Sequence, residues 1–510
     1  MDLDLYLVID LGTGGPKVGL VDSSGTLLDH VVSSVTTTFA DDGAATQDAN
    51  EWWTLILRDA GRLLKEPGRA RRVRAIGVTG QYGSTVPVDE NGLPTGPCLT
   101  WMDTRGGPWS KRAVGGPLQG YNPRVALSFI RRSGGAPSTA GADPVGQILY
   151  LEHEQPGIVA KSRWYLEPVD YLTMRLTGVA SATHASRLAM WMTDNRHLTR
   201  YRYDPVLLDL VGLSDTRLAP LVPFGSCVGT LRPEVAAQLG LAPETAVATG
   251  IPDLHAATIG SGATGLYDTH LALSTTSWIS CPVPMKKTDI LHSIASVPGL
   301  DNDHYLVINN QETGARALAW LRDALAGPGT PATVDELTAL AATSPAGANG
   351  ARFTPWLAGE RSPVDDKGAR GGFSNLSVTT TTADLVRAVL EGVAANSAWL
   401  FAAVERFTGR HLEPVRLVGG GAQSTLWCQI YASTLKRPVI QVADPLTAQL
   451  RGVAHVAASA VGDAALAEAP QPRPGRVFEP DPNDRTTYDD VARDLPRRFA
   501  LERRWRRSSR

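Results

Sequence analysis

The sequence predicts a mixed α/β protein of two domains, and three observations carry that reading. The chain has 510 residues, and single hydrophobic cores stop growing beyond about 250–300 residues. A strand, a turn of small residues and a second strand open the chain, and the same layout returns at 269–283 as THLALSTTSWISCPV. Around these two similar beginnings, apolar runs of strand length alternate with segments of helical period, as in an α/β protein.

Taken in order, LYLVID reads as a strand, LGTGGPK as a glycine-rich turn, VGLVD as a second strand, SSG as a turn and TLLDHVV as a third strand. ANEWWTLILRDAGRLL has a helical period, and RAIGVTG at 74–80 is a short buried strand. Residues 91–145 are rich in Gly and Pro and read as loops. In the second half, ADLVRAVLEGVAANSAWLFAAVERF repeats apolar residues every three or four positions, among them Val386, Val389, Leu390, Val393 and Leu400, with Thr382 as its cap. VRLVGGG then predicts a strand, STLWCQIYASTL a helix, RPVIQVA a strand and GVAHVAASAV a helix. The Pro-rich APQPRPGR loosens the chain, and the last eighteen residues carry eight arginines, read as a solvated terminal helix without assigned function.

Composition narrows the partners. Lys plus Arg is 49 against 51 for Asp plus Glu, so there is no electrostatic case for nucleic acid or a membrane surface, and the partner expected is a small molecule. The four cysteines stand far apart without a CxxC pair, which argues against a zinc site or a disulfide framework and favours a reducing cytoplasm. The first residues lack the basic flank of a signal peptide, and no apolar run is expected to reach membrane-spanning length.

The motifs are then weighed one by one. GSGATG at 260–265 matches GxGxxG but follows a helix and precedes a strand, the reverse of the order a dinucleotide site requires. GGGAQS at 419–424 does follow a strand and open a helix, with Asp444 at the end of the next strand, so a nucleotide turn and a structural turn stay equally open. DLGTGGPK at 10–17 offers an acid, freed backbone amides, the Thr13 hydroxyl and the Lys17 cation, the parts of a phosphate and magnesium site; a plain hairpin explains it as well. LSTTSW at 273–278 adds hydroxyls or is simply a turn. GIPDLHAATIGSGA places Asp253 among apolar neighbours, where a carboxylate must be solvated, paired, capping a helix or held for chemistry.

In this order and spacing, DLGTGGPK, GVTGQYGS, PCLTWMDTRG, DYLTMRLTG, GIPDLHAATIGSG, ALSTTSW, PWLAGERSPVDDKGARGGF and LVGGGAQSTLWCQI resemble the FGGY carbohydrate kinases. The resemblance implies two actin-like ATPase (ribonuclease H-like) domains with an interdomain cleft. Residues 1–262 would bind the sugar and carry the catalytic base, residues 263–465 would bind the nucleotide, and 466–510 would be a C-terminal extension. It implies Asp253 as the base that accepts the sugar hydroxyl proton. Gly12, Thr13 and Lys17 would face the phosphates of ATP with Thr276 across the cleft, Gly314, Gly420 and Gly421 would admit the adenosine, and Asp10 would position Mg2+. Gln81, Tyr82, Asp103 and Arg105 fall on the sugar-binding segments, each open to a packing role instead, while Arg361 and Arg370 are read as structural ion-pair partners.

Some positions depart from the family. Xylulose-type members usually read GQMHG where this chain has Tyr82 and Gly83, and Asn where it has Leu254. DLHA is closer to the DAHA of ribulose-type members, with His255 either a polar partner or a packed helix residue, and Thr275 replaces a glycine of the second phosphate loop. The expected acceptor is a pentulose, xylulose before ribulose, with glycerol or another polyol next. A non-catalytic sugar- or ATP-responsive regulator and a nicotinamide oxidoreductase are the rivals from other classes. A homodimer is the prior for any oligomer.

Overall fold

The computed structural model describes residues 3–118, 120–326, 331–466 and 475–508. The opening meander forms as the sequence predicts: Leu5–Gly12, Gly15–Asp22 and Leu27–Val32 pair antiparallel in turn. Gly12 stands opposite Gly15, so Thr13 and Gly14 make the hairpin tip. Gly15 has φ +135°, and a Cβ there would lie 2.1 Å from the Ser33 carbonyl oxygen, so only glycine lets the chain after the third strand close over this hairpin. Val73–Gly80 lies parallel to the first strand on its other side, followed by Ala246–Ala248 and, at the edge, Cys227–Thr230.

The second sheet repeats this order. Ser277–Ser280 pairs antiparallel with Thr269–Leu273, which lies parallel to Val415–Val418, which in turn lies parallel to Val439–Gln441. The helix Thr382–Thr408 buries Val386, Val389, Leu390 and Val393 beneath it. Its cap is Thr381 and not Thr382: the Thr381 hydroxyl accepts from the Asp384 N–H while the Asp384 carboxylate accepts from the Thr381 N–H, a reciprocal pair that the acid three residues on makes possible. This helix is also long and apolar enough to cross a membrane, contrary to expectation, yet its most apolar stretch is 78% buried inside the protein, as befits a core helix.

Two regions differ from the sequence reading. Residues 91–145 hold the helices Gly107–Val114, Pro123–Arg132 and the start of Pro144–Glu154. Pro108, Pro123 and Pro144 stand in the first turns of these helices, where a missing N–H is no loss, and Asn122 and Asp143 cap two of them. The terminal helix Arg485–Ser508 is not simply solvated: Tyr488, Val491, Leu495 and Phe499 form a buried stripe, the last three packing with Trp356. Residues 469–474 of the Pro-rich segment lie outside the described residues.

The helix Ala448–Ala460 follows the second sheet in the chain but packs on the first, where Leu450, Val453 and Val456 meet Tyr6, Val8 and Ala75. It crosses the helix Asp253–Gly260 almost backbone to backbone. A Cβ at Gly452 would lie 1.9 Å from the Ala256 carbonyl oxygen, and one at Gly260 would lie 1.8 Å from that of Ala448. By contrast Gly61, within the helix Ala49–Leu64, has open space where a Cβ would go. Gly61→Ala is therefore expected to raise unfolding free energy by about 0.5–1 kcal/mol, read as a higher denaturant midpoint at unchanged slope.

Candidate active site

Three strands bring the acidic residues together. Asp10 is opposite Lys17 on the hairpin and beside Thr79 on the parallel strand, and Pro252 pairs with Gly80 at that strand's end. Asp253, the next residue, thus emerges where the carboxyl ends of parallel strands converge, the usual ligand position in such sheets. Lys17 Nζ donates to Asp10 Oδ2 at 3.0 Å, which chiefly raises the lysine pKa. Burial, then the charge of Asp10, pushes the Asp253 carboxyl up to about 7, against the opposing pull of the Leu254 N–H and Lys17. Its side chain is partly exposed and makes no capping bond; Pro252 holds the cap position of the helix that Asp253 begins. Capping therefore does not account for this acid.

On the same lobe a polar network backs the hairpin tip. Thr13 Oγ1 donates to Gln81 Oε1 at 3.2 Å and accepts from Trp101 Nε1 at 3.1 Å, while Gln47 Nε2 donates to the Thr13 carbonyl at 2.8 Å. Gln81 is buried and held by Thr13 and Gln47. Gln47 and Trp101 were not singled out from sequence; Trp101 stands inside the WMDTR motif, but nothing in the sequence distinguishes Gln47. Tyr82 packs where Leu188 and Leu254 of the first lobe meet Val297 and Leu306 of the second, beside Trp191 and Trp278. Burial and then the Asp253 charge raise its phenol pKa, and the Arg361 charge opposes them.

Two residues expected on the sugar side, Asp103 and Arg105, pair with each other. Asp103 is fully buried, accepting from the Ala45 N–H and from Arg105, whose Nη2 is 2.6 Å away. Arg105 also donates to Tyr150 OH at 3.1 Å and lies over that ring. The two side chains thus form an internal pair, with Arg105 the less buried member. His255 fits the packed alternative: fully buried, it bonds the Pro298 carbonyl through Nε2 at 2.9 Å, and burial lowers its pKa to about 4.

The second lobe contributes two loops tied to each other. Gly314 N–H donates to the Thr275 carbonyl at 2.9 Å, and a Cβ on Gly314 would lie 2.4 Å from the Thr276 carbonyl, so glycine lets this loop approach closely. Gly421 is likewise buried against Leu273 and Trp427, whereas Gly420 faces only Leu446. After Gly419 a single 3-10 turn, Gly420–Gln423, precedes the helix Thr425–Leu435, which Ser424 caps through the Trp427 N–H at 3.2 Å. That side-chain cap takes the place where a dinucleotide pyrophosphate would meet the helix. Arg361 pairs with Glu312 at 2.8 Å, while the Arg370 guanidinium donates to the carbonyls of Lys367 and Ala369 and forms no ion pair among the described residues.

Among the described residues no three His, Cys, Asp or Glu side chains gather to cage a metal. Magnesium suits what is present, because it retains most of its water and takes one or two carboxylates plus substrate phosphates. Lys17 engages Oδ2 of Asp10, which leaves Oδ1 for such a role.

Comparison with known proteins agrees with this architecture. Residues 5–260 match the N-terminal domain of the FGGY family of carbohydrate kinases, and residues 257–461 match its C-terminal domain. A xylulose kinase of Staphylococcus epidermidis is 28% identical over 473 residues, 91% of this chain and 87% of that one. An erythritol kinase of Brucella abortus is 28% identical over 524 residues, 96% and 94% of the two chains. The crystal structure of a gluconate kinase from Lactobacillus acidophilus has the same fold, with a TM-score of 0.85 at 22% identity over 98% and 99% of the two chains.

Proposed function

The chain belongs to the FGGY family of carbohydrate kinases, built on two actin-like domains, and is an ATP-dependent sugar kinase; we propose that it phosphorylates a small neutral acceptor, a pentulose such as xylulose foremost, with Asp253 as the base. The observation that carries the assignment is the partly exposed, pKa-raised Asp253 carboxyl beside Asp10 and Lys17, with no cap to make. A neutral acceptor is supported by the charges around it. Asp10, Asp253 and Glu312 outnumber Lys17 and Arg361, each cation already faces an acid, and a carboxylate substrate would add repulsion.

In this reading the first lobe, 1–262, holds the acceptor and the second, 263–465, holds ATP. Asp253 accepts the proton of the attacking hydroxyl and, because phosphoryl transfer is loose, acts above all by aiming that oxygen. Lys17, Thr13 and the Gly12 backbone meet the phosphates from below, Thr276 meets them across the cleft, and Gly314, Gly420 and Gly421 shape the adenosine side. Tyr82 offers its hydroxyl to the acceptor. Asp10 would hold magnesium, which when bound neutralises phosphate charge. Leu254, Val297 and Leu306 keep water from the reacting groups, which limits wasteful ATP hydrolysis.

The test is ADP release with xylulose, ribulose, erythritol, glycerol and gluconate as acceptors. Highest kcat/KM with a pentulose supports the reading, erythritol or glycerol moves it to a polyol kinase, and turnover of gluconate alone overturns the neutral-acceptor assignment. The regulator reading rests on Thr275 and GQYGS, and turnover of any acceptor removes it. With the preferred sugar, kcat/KM should fall as pH drops below about 7, because protonated Asp253 cannot accept a proton. A profile flat from pH 5 to 8 would argue against the assigned base.

A further inference from the structure

The family match ends at residue 461, so the helix Arg485–Ser508 lies beyond it. Its buried stripe anchors it to the second lobe, but its last turns reach a different target. Arg506 donates through both terminal nitrogens to Asp366, at 3.1 and 2.8 Å, and a Cβ on the neighbouring Gly368 would lie 2.6 Å from Arg506 Nη1. Glu502, one turn earlier, lies 2.5 Å from Arg506 Nε and accepts from the Arg370 N–H at 3.4 Å.

Asp366 exchanges two backbone hydrogen bonds with Glu360, at 2.9 and 3.0 Å. The buried Glu360 carboxylate accepts from the Glu312 N–H at 3.1 Å and the Arg361 N–H at 2.9 Å through one oxygen, and from Asn396 Nδ2 at 2.6 Å through the other. One carboxylate oxygen therefore fixes both members of the Arg361–Glu312 pair. The Arg361 charge reaches the Tyr82 phenol, and Glu312 is two residues from Gly314.

We infer that the C-terminal helix is a positioning element of the active site: Arg506, acting through Asp366 and Glu360, sets where the Arg361–Glu312 pair stands in the cleft. The inference builds on the kinase reading above. A two-pronged arginine–carboxylate contact resists rotation as a single bond does not. A partly exposed ion pair contributes little to global stability, so its loss releases the loop without unfolding the protein.

The experiment compares Arg506→Ala, Arg361→Ala and the double variant in the full chain. Arg506→Ala should raise the acceptor KM about five-fold with kcat held within about two-fold, and the double variant should be no worse than Arg361→Ala alone. The exchange Asp366→Arg with Arg506→Asp should restore KM. Hydrogen exchange at the Glu312 and Arg361 amides should quicken in Arg506→Ala, a readout independent of turnover. Unchanged KM and exchange, or effects that add in the double variant, overturn the inference. A parent protein that turns over no sugar while exchange quickens as described would overturn the kinase reading and leave the mechanical link standing.

Discussion

Asp253→Asn is expected to lower sugar-dependent ADP release about 10²–10⁴-fold while ATP still binds. The substitution keeps the shape and removes the proton acceptor. A second effect separates a catalytic acid from a structural one. The folded-state pKa is raised to about 7, so the native protein holds a proton that the unfolded chain, with an ordinary carboxylate, releases from about pH 4 upward. Stability therefore declines as pH rises from about 4 to 7 and is flat, for this group, above that window. An asparagine never ionises, so the variant should gain a few degrees in thermal midpoint over the parent at pH 8 and much less at pH 5. A structural acid would give the opposite result, a loss at pH 8 with activity largely kept.

Gly452→Ala is expected to cost a large share of the stability. The added methyl has nowhere to go, since the atom in its way is the Ala256 carbonyl oxygen at 1.9 Å, part of a helix backbone that no rotamer change can move. Overpacking of this kind costs about 3 kcal/mol, which denaturant titration would read as a lowered midpoint. The same helix begins with Asp253, so molecules that do fold carry a displaced base, and a shift of about 1 Å costs on the order of 10²-fold in rate. A variant with parental stability and turnover would show that the two helices stand farther apart than described.

Much of the fold was legible because its signals are local. The helix Ala49–Leu64 shows a plain period, and both meanders show apolar strands around Gly or Ser/Thr turns. The helices between 107 and 154 were not, because a proline reads the same whether it breaks a helix or begins one until the cap before it is recognised. At the candidate site, Asp10, Lys17 and Asp253 came from motifs, but what each neighbour touches is a matter of tertiary placement. Asp103 and Arg105 carry the right chemistry two residues apart and use it on each other. Gln47, Glu312 and Glu360 enter the cleft's hydrogen bonding from distant segments, and no sequence period marks them. Thr381 over Thr382 as the cap is settled by one acid, three residues downstream.

The helix Ala448–Ala460, which covers the first sheet, has a consequence for synthesis. As the chain leaves the ribosome, the strands of the first sheet are complete by residue 252, yet their partner helix is translated roughly two hundred residues later. Until then Tyr6, Val8 and Ala75 present an uncovered apolar face, the kind of surface on which nascent chains associate wrongly. The amino-terminal half made alone should therefore demand a chaperone or precipitate, and its solubility should return when the segment 448–460 is supplied.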